Sequence, residues 1–463
     1  MMRAFSLADA QRWTGATSGT PSLEKLLFTG VSTDTRSLAQ GQLFVALRGE
    51  NFDGHRFLQK AKDCGAVAAV VDTADAAVDL PQLVVSDTVV ALAQLAAGNR
   101  NESDARFVAV TGSSGKTTVR EMTAAILARM GPTLATRGNL NNHIGVPLTL
   151  FGLTPDHRYG AIELGASGLG EIAHTVAITR PEVVILTNAG SAHLEGFGSY
   201  ENIVQAKGEI IDGVAENGLV VLNRDDPAFD QWQARAGQRP VVSVSRLGHP
   251  GADYRSEPLE SDAPGQSFRV SGPDNWACIV RLALEGEHNQ TNAMLAIAAA
   301  RRMGAGNEAI TDGLAQLEPV KGRLQSLQMA PGLTVIDDSY NANPASMKAA
   351  LSVLARREGQ RIAVFGAMAE LGSDARTLHR EVGEFARAAE IERLLTVGPG
   401  CEGYADGFGV GAEMYHTHDE AVDAIVSAVS SPMTVLVKGS RSSAMDHVVE
   451  GIKEKVNNSC CSG

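Results

Sequence analysis

The chain has 463 residues, 44% of them apolar and 20% charged, the balance of a globular protein with length for about three domains. The 40 basic residues face 53 acidic ones, a net charge of -13 with no basic run, so nucleic acid is not expected as a partner. No stretch approaches ~18 uninterrupted apolar residues and the start lacks a charged-then-apolar segment, so neither membrane insertion nor a signal peptide is expected. The five cysteines, Cys64, Cys278, Cys401, Cys460 and Cys461, show no C-x-x-C spacing and read as reduced thiols of a cytoplasmic protein.

In chain order, residues 1–100 mix short strands (42–47, 67–71, 83–86) with helices (57–64, 91–100), and a polar connector follows at 101–104. Residues 101–318 open on an apolar strand at 107–110. Further strands at 161–163, 183–188 and 219–223 alternate with helical stretches, the pattern of a parallel sheet with crossover helices. The stretch 244–285, rich in Gly, Pro and Ser, reads as a small antiparallel appendage. Residues 319–456 repeat the alternation, with strands at 333–336, 361–365, 393–397 and 434–437. They read as a second doubly wound domain, and 457–463 as a disordered tail.

The densest chemical signal follows the strand at 107–110. Gly112, Ser113, Ser114 and Gly115 form a turn, Lys116 and Thr117 come next, and helical spacing begins at Thr118. Strand, glycine turn, then helix is the layout of a phosphate cradle. Backbone N–H groups and the positive helix end meet an anion, Lys116 adds a point charge, and the Thr117 hydroxyl suits Mg²⁺. The general P-loop has four residues between its glycines and this one has two, so a bland turn stays open as an alternative.

Other candidates lie beyond strand ends, where open parallel sheets bind ligands. Glu163 ends one strand and suits Mg²⁺; His193, in a small-residue loop, reads alone as a locally satisfied histidine. Lys207 reads by spacing as a solvated helix lysine. Asn289 and Asn292 share a face at a helix start, where they cap the helix or read an adenine edge. Asp337 and Asp338 lie just past a strand. Asn343 caps the next helix, with Pro344 at its first position. Lys438 and Arg441 sit in a glycine-containing loop that can receive a carboxylate or phosphate.

Taken together and in order, the short phosphate loop, Glu163-Leu-Gly, His193-Leu-Glu195, His288-Asn289 with Asn292, Gly322-Arg323, Asp337-Asp-Ser339 and Lys438-Gly-Ser440 resemble the Mur ligases. Asn139-Leu-Asn-Asn-His-Ile-Gly-Val-Pro147, Asp338-Ser-Tyr-Asn-Ala-Asn-Pro344 and Phe365-Gly-Ala-Met-Ala-Glu-Leu-Gly372 are similar to the branch of that family that uses D-alanyl-D-alanine. The short loop is that family's own variant. The resemblance covers the chain up to about residue 456.

The resemblance implies an α/β protein of three domains. A small α/β domain at 1–100 binds the UDP-linked precursor, a central P-loop parallel-sheet ATPase domain spans 101–318, and a Rossmann-like domain spans 319–456. It implies an ATP-dependent ligase that joins D-alanyl-D-alanine to UDP-N-acetylmuramoyl-tripeptide. Lys116, Lys207, His193 and Arg323 are the implied catalytic residues. Gly112 to Thr118, Asn289, Asn292, Arg323 and Asp338 are implied to bind ATP. Thr117, Glu163, His193 and a carbamylated Lys207 are implied to hold Mg²⁺. Substrate contacts are implied at Thr33, Asp34, Arg36, Asn139, Asn142, Tyr340, Asn341, Asn343 and Lys438. A monomer is expected. A sister amino-acid-adding ligase, a folylpolyglutamate synthetase and a P-loop ATPase doing mechanical work are the alternatives. The last leaves the motifs after residue 320 unexplained.

Overall fold

The computed structural model describes residues 2–190, 194–260, 265–429 and 432–460. The N-terminal block carries a parallel sheet in the order β1 (Val31–Ser32), β2 (Leu43–Val45), β3 (Ala68–Val71), β4 (Gln82–Val84). Helix α1 (Thr88–Asn101) follows. The Asp87 carboxylate starts it by accepting from the N–H groups of Val89 and Val90. Leu92 and Leu95 of α1 share one apolar core with Leu43 and Val70 on one side and Phe107 and Ile162 on the other. That helix is the seam joining the first block to the second.

The central block begins with β5 (Arg106–Thr111), α2 (Lys116–Ala128), β6 (Thr133–Ala135) and β7 (Tyr159–Glu163). It continues with β8 (Val183–Leu186), α3 (Leu194–Phe197), α4 (Tyr200–Asp212), β9 (Leu219–Asn223) and β10 (Val241–Ser245). It closes with β11 (Tyr254–Leu259), β12 (Gln266–Ser271), β13 (Ala277–Leu282) and α5 (His288–Arg302). The nine strands run β6-β7-β5-β8-β9-β10-β11-β12-β13. The chain leaves β5 on one side, returns through β7, and resumes at β8 on the other. The carboxyl ends of β7, β5 and β8 therefore flank a topological switch point, where such sheets bind ligands. Phe107 and Ala109 face one core while Val108 and Val110 face the other. Burial on both faces is why these strands read as unbroken apolar runs.

The expected appendage is not separate. β11 pairs parallel with β10 at Val244–Tyr254 and Ser245–Arg255, so the antiparallel ribbon β11-β12-β13 extends the main sheet.

The C-terminal block contains β14 (Gln325–Ala330), β15 (Leu333–Asp338), α6 (Pro344–Leu354), β16 (Gln360–Gly366) and α7 (Ala375–Ala388). Then come β17 (Arg393–Val397), α8 (Glu402–Phe408), β18 (Ala412–Tyr415), β19 (Met433–Lys438) and α9 (Asp446–Cys460). Its six strands run β14-β15-β19-β16-β17-β18, with β14 antiparallel and the rest parallel. Insertion of β19 between β15 and β16 brings Asp338, Lys438 and Phe365 into register at one sheet end. Two edge strands, β14 and β18, go unannounced in the sequence because both are half-exposed and polar. Val449, Ile452 and Val456 bury one face of α9, and the helix continues to Cys460, into the 457–463 stretch expected to be disordered.

Among the described residues, no helix is long and apolar enough to cross a membrane.

Candidate active site

The loop joining β5 to α2 leads into a helix start that no side chain caps. Five other helices are closed by a side-chain cap from Ser6, Asp87, Ser199, Asn343 or Thr417. Helix α2 starts at Gly115 with no side-chain cap. Its first-turn N–H groups have no intrahelical carbonyl to bind, so the helix start presents donors and positive dipole together. Two glycines permit this shape. Gly112 has φ +145°, and a Cβ there would lie 1.9 Å from Thr187 Oγ1; Gly115 has φ +80°, and its Cβ would lie 2.8 Å from Asn292 Oδ1.

The loop is laced to the segment that follows β8. Ser114 N–H donates to Asn188 Oδ1 at 2.9 Å, and Asn188 Nδ2 donates back to Ser114 O at 3.1 Å. Ser113 Oγ donates to Gly190 O and accepts from its N–H. Lys116 Nζ folds over the turn, 2.8 Å from Gly112 O and 3.2 Å from Ser113 O. Burial lowers the Lys116 pKa and the Arg323 charge adds to the effect, while Glu163 opposes it.

Beside the loop, Thr117 Oγ1 donates to Glu163 Oε2 at 2.9 Å, and Asn141 Nδ2 donates to Glu163 Oε1 at 2.9 Å. Glu163 is buried, and Arg120 Nε stands 3.7 Å from Oε2 with no hydrogen-bond partner of its own among the described residues. A hydroxyl and a carboxylate oxygen this close suit an oxygen-preferring cation. Among the described residues, no group of three or more His, Cys, Asp and Glu forms a metal cage. His193 lies outside the described residues.

Lys207 is not the solvated lysine that its helix spacing suggests. It is 1% exposed, its Nζ donates to Ala166 O at 3.3 Å, and the ammonium sits 4.8 Å from the Phe197 ring centre. Burial first, then the charge of Lys116, pushes its pKa down to about 7.

The C-terminal block completes the site. Asn343 does two jobs with one side chain. Its Oδ1 accepts from Ser346 N–H, capping α6, and its Nδ2 donates to Ser114 Oγ of the phosphate loop at 3.0 Å. Asp338 and Lys438 pair at 2.6 Å, and Lys438 also donates to Asn341 O at 2.8 Å. Burial raises the Asp338 pKa, opposed by Lys438. The Arg323 guanidinium stacks over Tyr340 at 4.4 Å. A cavity of about 660 Å³ gathers Lys116, Thr117, Glu163, Asn139, Asn142, Asn289, Asn292, Arg323, Asp338, Tyr340, Asn341, Asn343 and Lys438 on its walls.

Asn289 and Asn292 do not cap α5. Asn289 donates to Glu285 O, and Asn292 donates to Asn289 Oδ1 and abuts Gly115. Thr33, Asp34 and Arg36 lie in the N-terminal block, off this cavity. There Asp34 accepts from the Arg36 guanidinium and from the Arg36 backbone N–H, which drops its pKa to about 2. Asn188, Asn141 and Arg120 escaped the sequence reading. Asn188 ends a recognised strand and Asn141 lies between two named asparagines. Arg120 follows Thr117 by three positions on a helix, so each stood beside a detected signal.

Known protein families match three stretches of this chain. The family description "Mur ligase family, catalytic domain" matches residues 27–100, "Mur ligase middle domain" 110–300, and "Mur ligase, glutamate ligase domain" 322–441. The UDP-N-acetylmuramoyl-tripeptide--D-alanyl-D-alanine ligase of Escherichia coli is 46% identical over 93% of this chain and 94% of its own. That of Bacillus subtilis is 34% identical over 95% and 96%. The crystal structure of MurF from Acinetobacter baumannii superposes with a TM-score of 0.92 at 34% identity, covering 98% of this chain and 99% of that one. MurF from Thermotoga maritima in complex with ADP gives 0.84 at 28% identity, covering 93% and 98%. The chain belongs to the Mur ligase family.

Proposed function

We propose that this protein is an ATP-dependent ligase that joins D-alanyl-D-alanine to UDP-N-acetylmuramoyl-tripeptide, giving a pentapeptide precursor of peptidoglycan. One observation carries the reading: the phosphate loop, Glu163 and a set of C-terminal-block polar groups line one cavity in a chain 46% identical to such a ligase. The domain division that goes with it is 1–100 for the UDP-linked precursor, 101–318 for ATP and 319–456 for the dipeptide.

A carboxylate resists attack by an amine because its leaving group would be oxide. Phosphorylation of the tripeptide's terminal carboxylate by ATP gives an acyl phosphate and ADP. The dipeptide amine then attacks the carbonyl and phosphate leaves. The chain's own part is positioning and charge neutralisation. Lys116 and the open start of α2 receive the β- and γ-phosphates. Thr117 and Glu163 would hold Mg²⁺, which neutralises phosphate charge when bound. Asn289, Asn292 and Asp338 serve the nucleoside end. Arg323 faces the phosphate loop from the opposite block. Lys438, Tyr340, Asn341, Asn343, Asn139 and Asn142 border the space left for the acceptor and donor peptides. Thr33, Asp34 and Arg36 would meet the uridine end of a precursor long enough to reach from the first block.

Lys207 fits a carbamylated lysine. A buried amine with a pKa near 7 is substantially unprotonated at neutral pH, and the free amine adds to CO₂, forming an N–C bond and releasing one proton. The product is an oxygen-bearing anion, which would serve beside the metal with His193. A carbamate resonance in ¹³C NMR with labelled bicarbonate tests this, as does rescue of Lys207→Ala by formate or acetate. A cytoplasmic monomer goes with the reading.

The functional test is phosphate release from ATP and UDP-linked tripeptide, with and without D-alanyl-D-alanine. Release that depends on the dipeptide is expected. Equal release without it would favour an ATPase, and a preference for a single amino acid would favour a sister ligase.

A further inference from the structure

The motif from Phe365 to Gly372 lies off the reacting groups, yet the structure ties it down from four sides. His379 of α7, 1% exposed, accepts the Met368 N–H on Nε2 at 2.9 Å and places Nδ1 2.5 Å from Ala375 O. Those two partners call for the neutral ring with its proton on Nδ1. Tyr404 of α8 packs edge-on against His379, with ring centres 4.5 Å apart, and its hydroxyl donates to Gly366 O at 3.3 Å. Ala367 O accepts from Ser440 N–H and from Ser443 Oγ, just past Lys438 at the end of β19. The strap then turns through Glu370 at φ +60°, a conformation costly for a side-chain-bearing residue. There the Glu370 carbonyl accepts the N–H of Glu195, in helix α3 of the central block, at 3.1 Å. Gly372 approaches Glu195 closely enough that a Cβ would lie 3.9 Å from its Cα. Helix α3 also carries Phe197, whose ring faces the Lys207 ammonium.

We propose that His379 is a positioning residue for ligation: it pins the strap 367–372, which holds α3 through the Glu370–Glu195 bond and so sets Phe197 against Lys207. The inference rests on the ligase reading and adds a link between the C-terminal block and the central site. A histidine that only filled the core would need neither a strained turn on the strap nor a hydrogen bond from the strap to another block.

The test compares His379→Gln, His379→Leu, Glu195→Pro and the double variant His379→Leu with Glu195→Pro, in the full chain. Glutamine can still accept the Met368 N–H; leucine cannot. Proline at 195 removes the donor on α3 without touching the C-terminal block. Small misplacements near reacting groups can cost about 10²-fold. We expect His379→Leu and Glu195→Pro each to lower kcat by about 10-fold or more. ATP affinity should stay within about twofold, and Met368 amide exchange should speed up in the leucine variant. Glutamine should restore most of kcat. The double variant should be no worse than the weaker single, because both cut one linkage. A leucine variant that melts lower yet keeps full kcat would overturn the proposal, as would additive losses in the double variant. If His379→Leu does not fold, Glu195→Pro decides alone, and unchanged kcat there refutes the link. Wild-type protein runs in the same assay: no dipeptide-dependent phosphate release there would sink the ligase reading instead.

Discussion

Replacing Lys207 by methionine should make the protein more stable while stopping turnover. The ammonium has an ordinary pKa of 10.5 and is held at about 7, chiefly by burial. At roughly 1.4 kcal/mol per tenfold in the protonation equilibrium, that lowering corresponds to about 5 kcal/mol of differential interaction. The sign follows from proton counting. Between pH 7 and 10.5 the unfolded chain holds a proton that the folded chain has released, so stability rises with pH across that window. Below pH 7 both states are protonated and the full penalty stands. Methionine has a similar length and removes the titration from both states. Its advantage over wild type is therefore largest at and below pH 7, with an upper bound of about 4 kcal/mol at pH 7 and about 2 kcal/mol at pH 9. Trp232 offers a local probe: it is 1% exposed and its indole N–H donates to Val204 O, on the same helix as Lys207. Urea unfolding followed by tryptophan fluorescence, in buffer purged of CO₂, measures the gap at both pH values. A gap that does not change between pH 7 and 9, or a methionine variant less stable at pH 7, would show that Lys207 titrates normally. The free-amine argument for carbamylation would then fail.

Lys116→Ala should lower turnover by about 10²-fold or more with an unchanged melting temperature, because it removes a cation from the transferring phosphoryl group; more than about a tenth of wild-type turnover would contradict this. Asn343→Asp keeps an acceptor for the Ser346 N–H but loses the donor to Ser114 and puts a carboxylate beside the phosphate loop. It should weaken ATP binding by calorimetry about tenfold or more while leaving the melting temperature unchanged. Arg323→Ala should reduce kcat and kcat/KM together with little loss of ATP affinity, since Arg323 meets the site from the opposite block; a loss of affinity at constant kcat would mark it as a simple binding residue.

What the sequence disclosed was local. A strand, two glycines and a Lys-Thr pair are contiguous, so the phosphate loop and Glu163 at a strand end were readable before any fold was known. Lys207 was not, because spacing on a helix cannot show that Ala166 and Phe197 enclose it. Asn188 and Asn141 act on partners 74 and 22 residues away, so only the tertiary fold reveals them. Asn343 shows both limits. Its capping role was legible from Pro344 at the next position, whereas its bond to Ser114 spans 229 residues. The antiparallel ribbon is legible as a unit, but its fusion to the main sheet rests on two residue pairs that no periodicity marks.

The most direct test of the acyl-phosphate claim follows one oxygen. UDP-linked tripeptide labelled with ¹⁸O in its terminal carboxylate, turned over with ATP and D-alanyl-D-alanine, should release phosphate bearing one ¹⁸O, with ADP as the nucleotide product and a pentapeptide as the other. Unlabelled phosphate, or label appearing in AMP, would contradict phosphorylation of the carboxylate at the γ-phosphate and with it the mechanism assigned to this cavity.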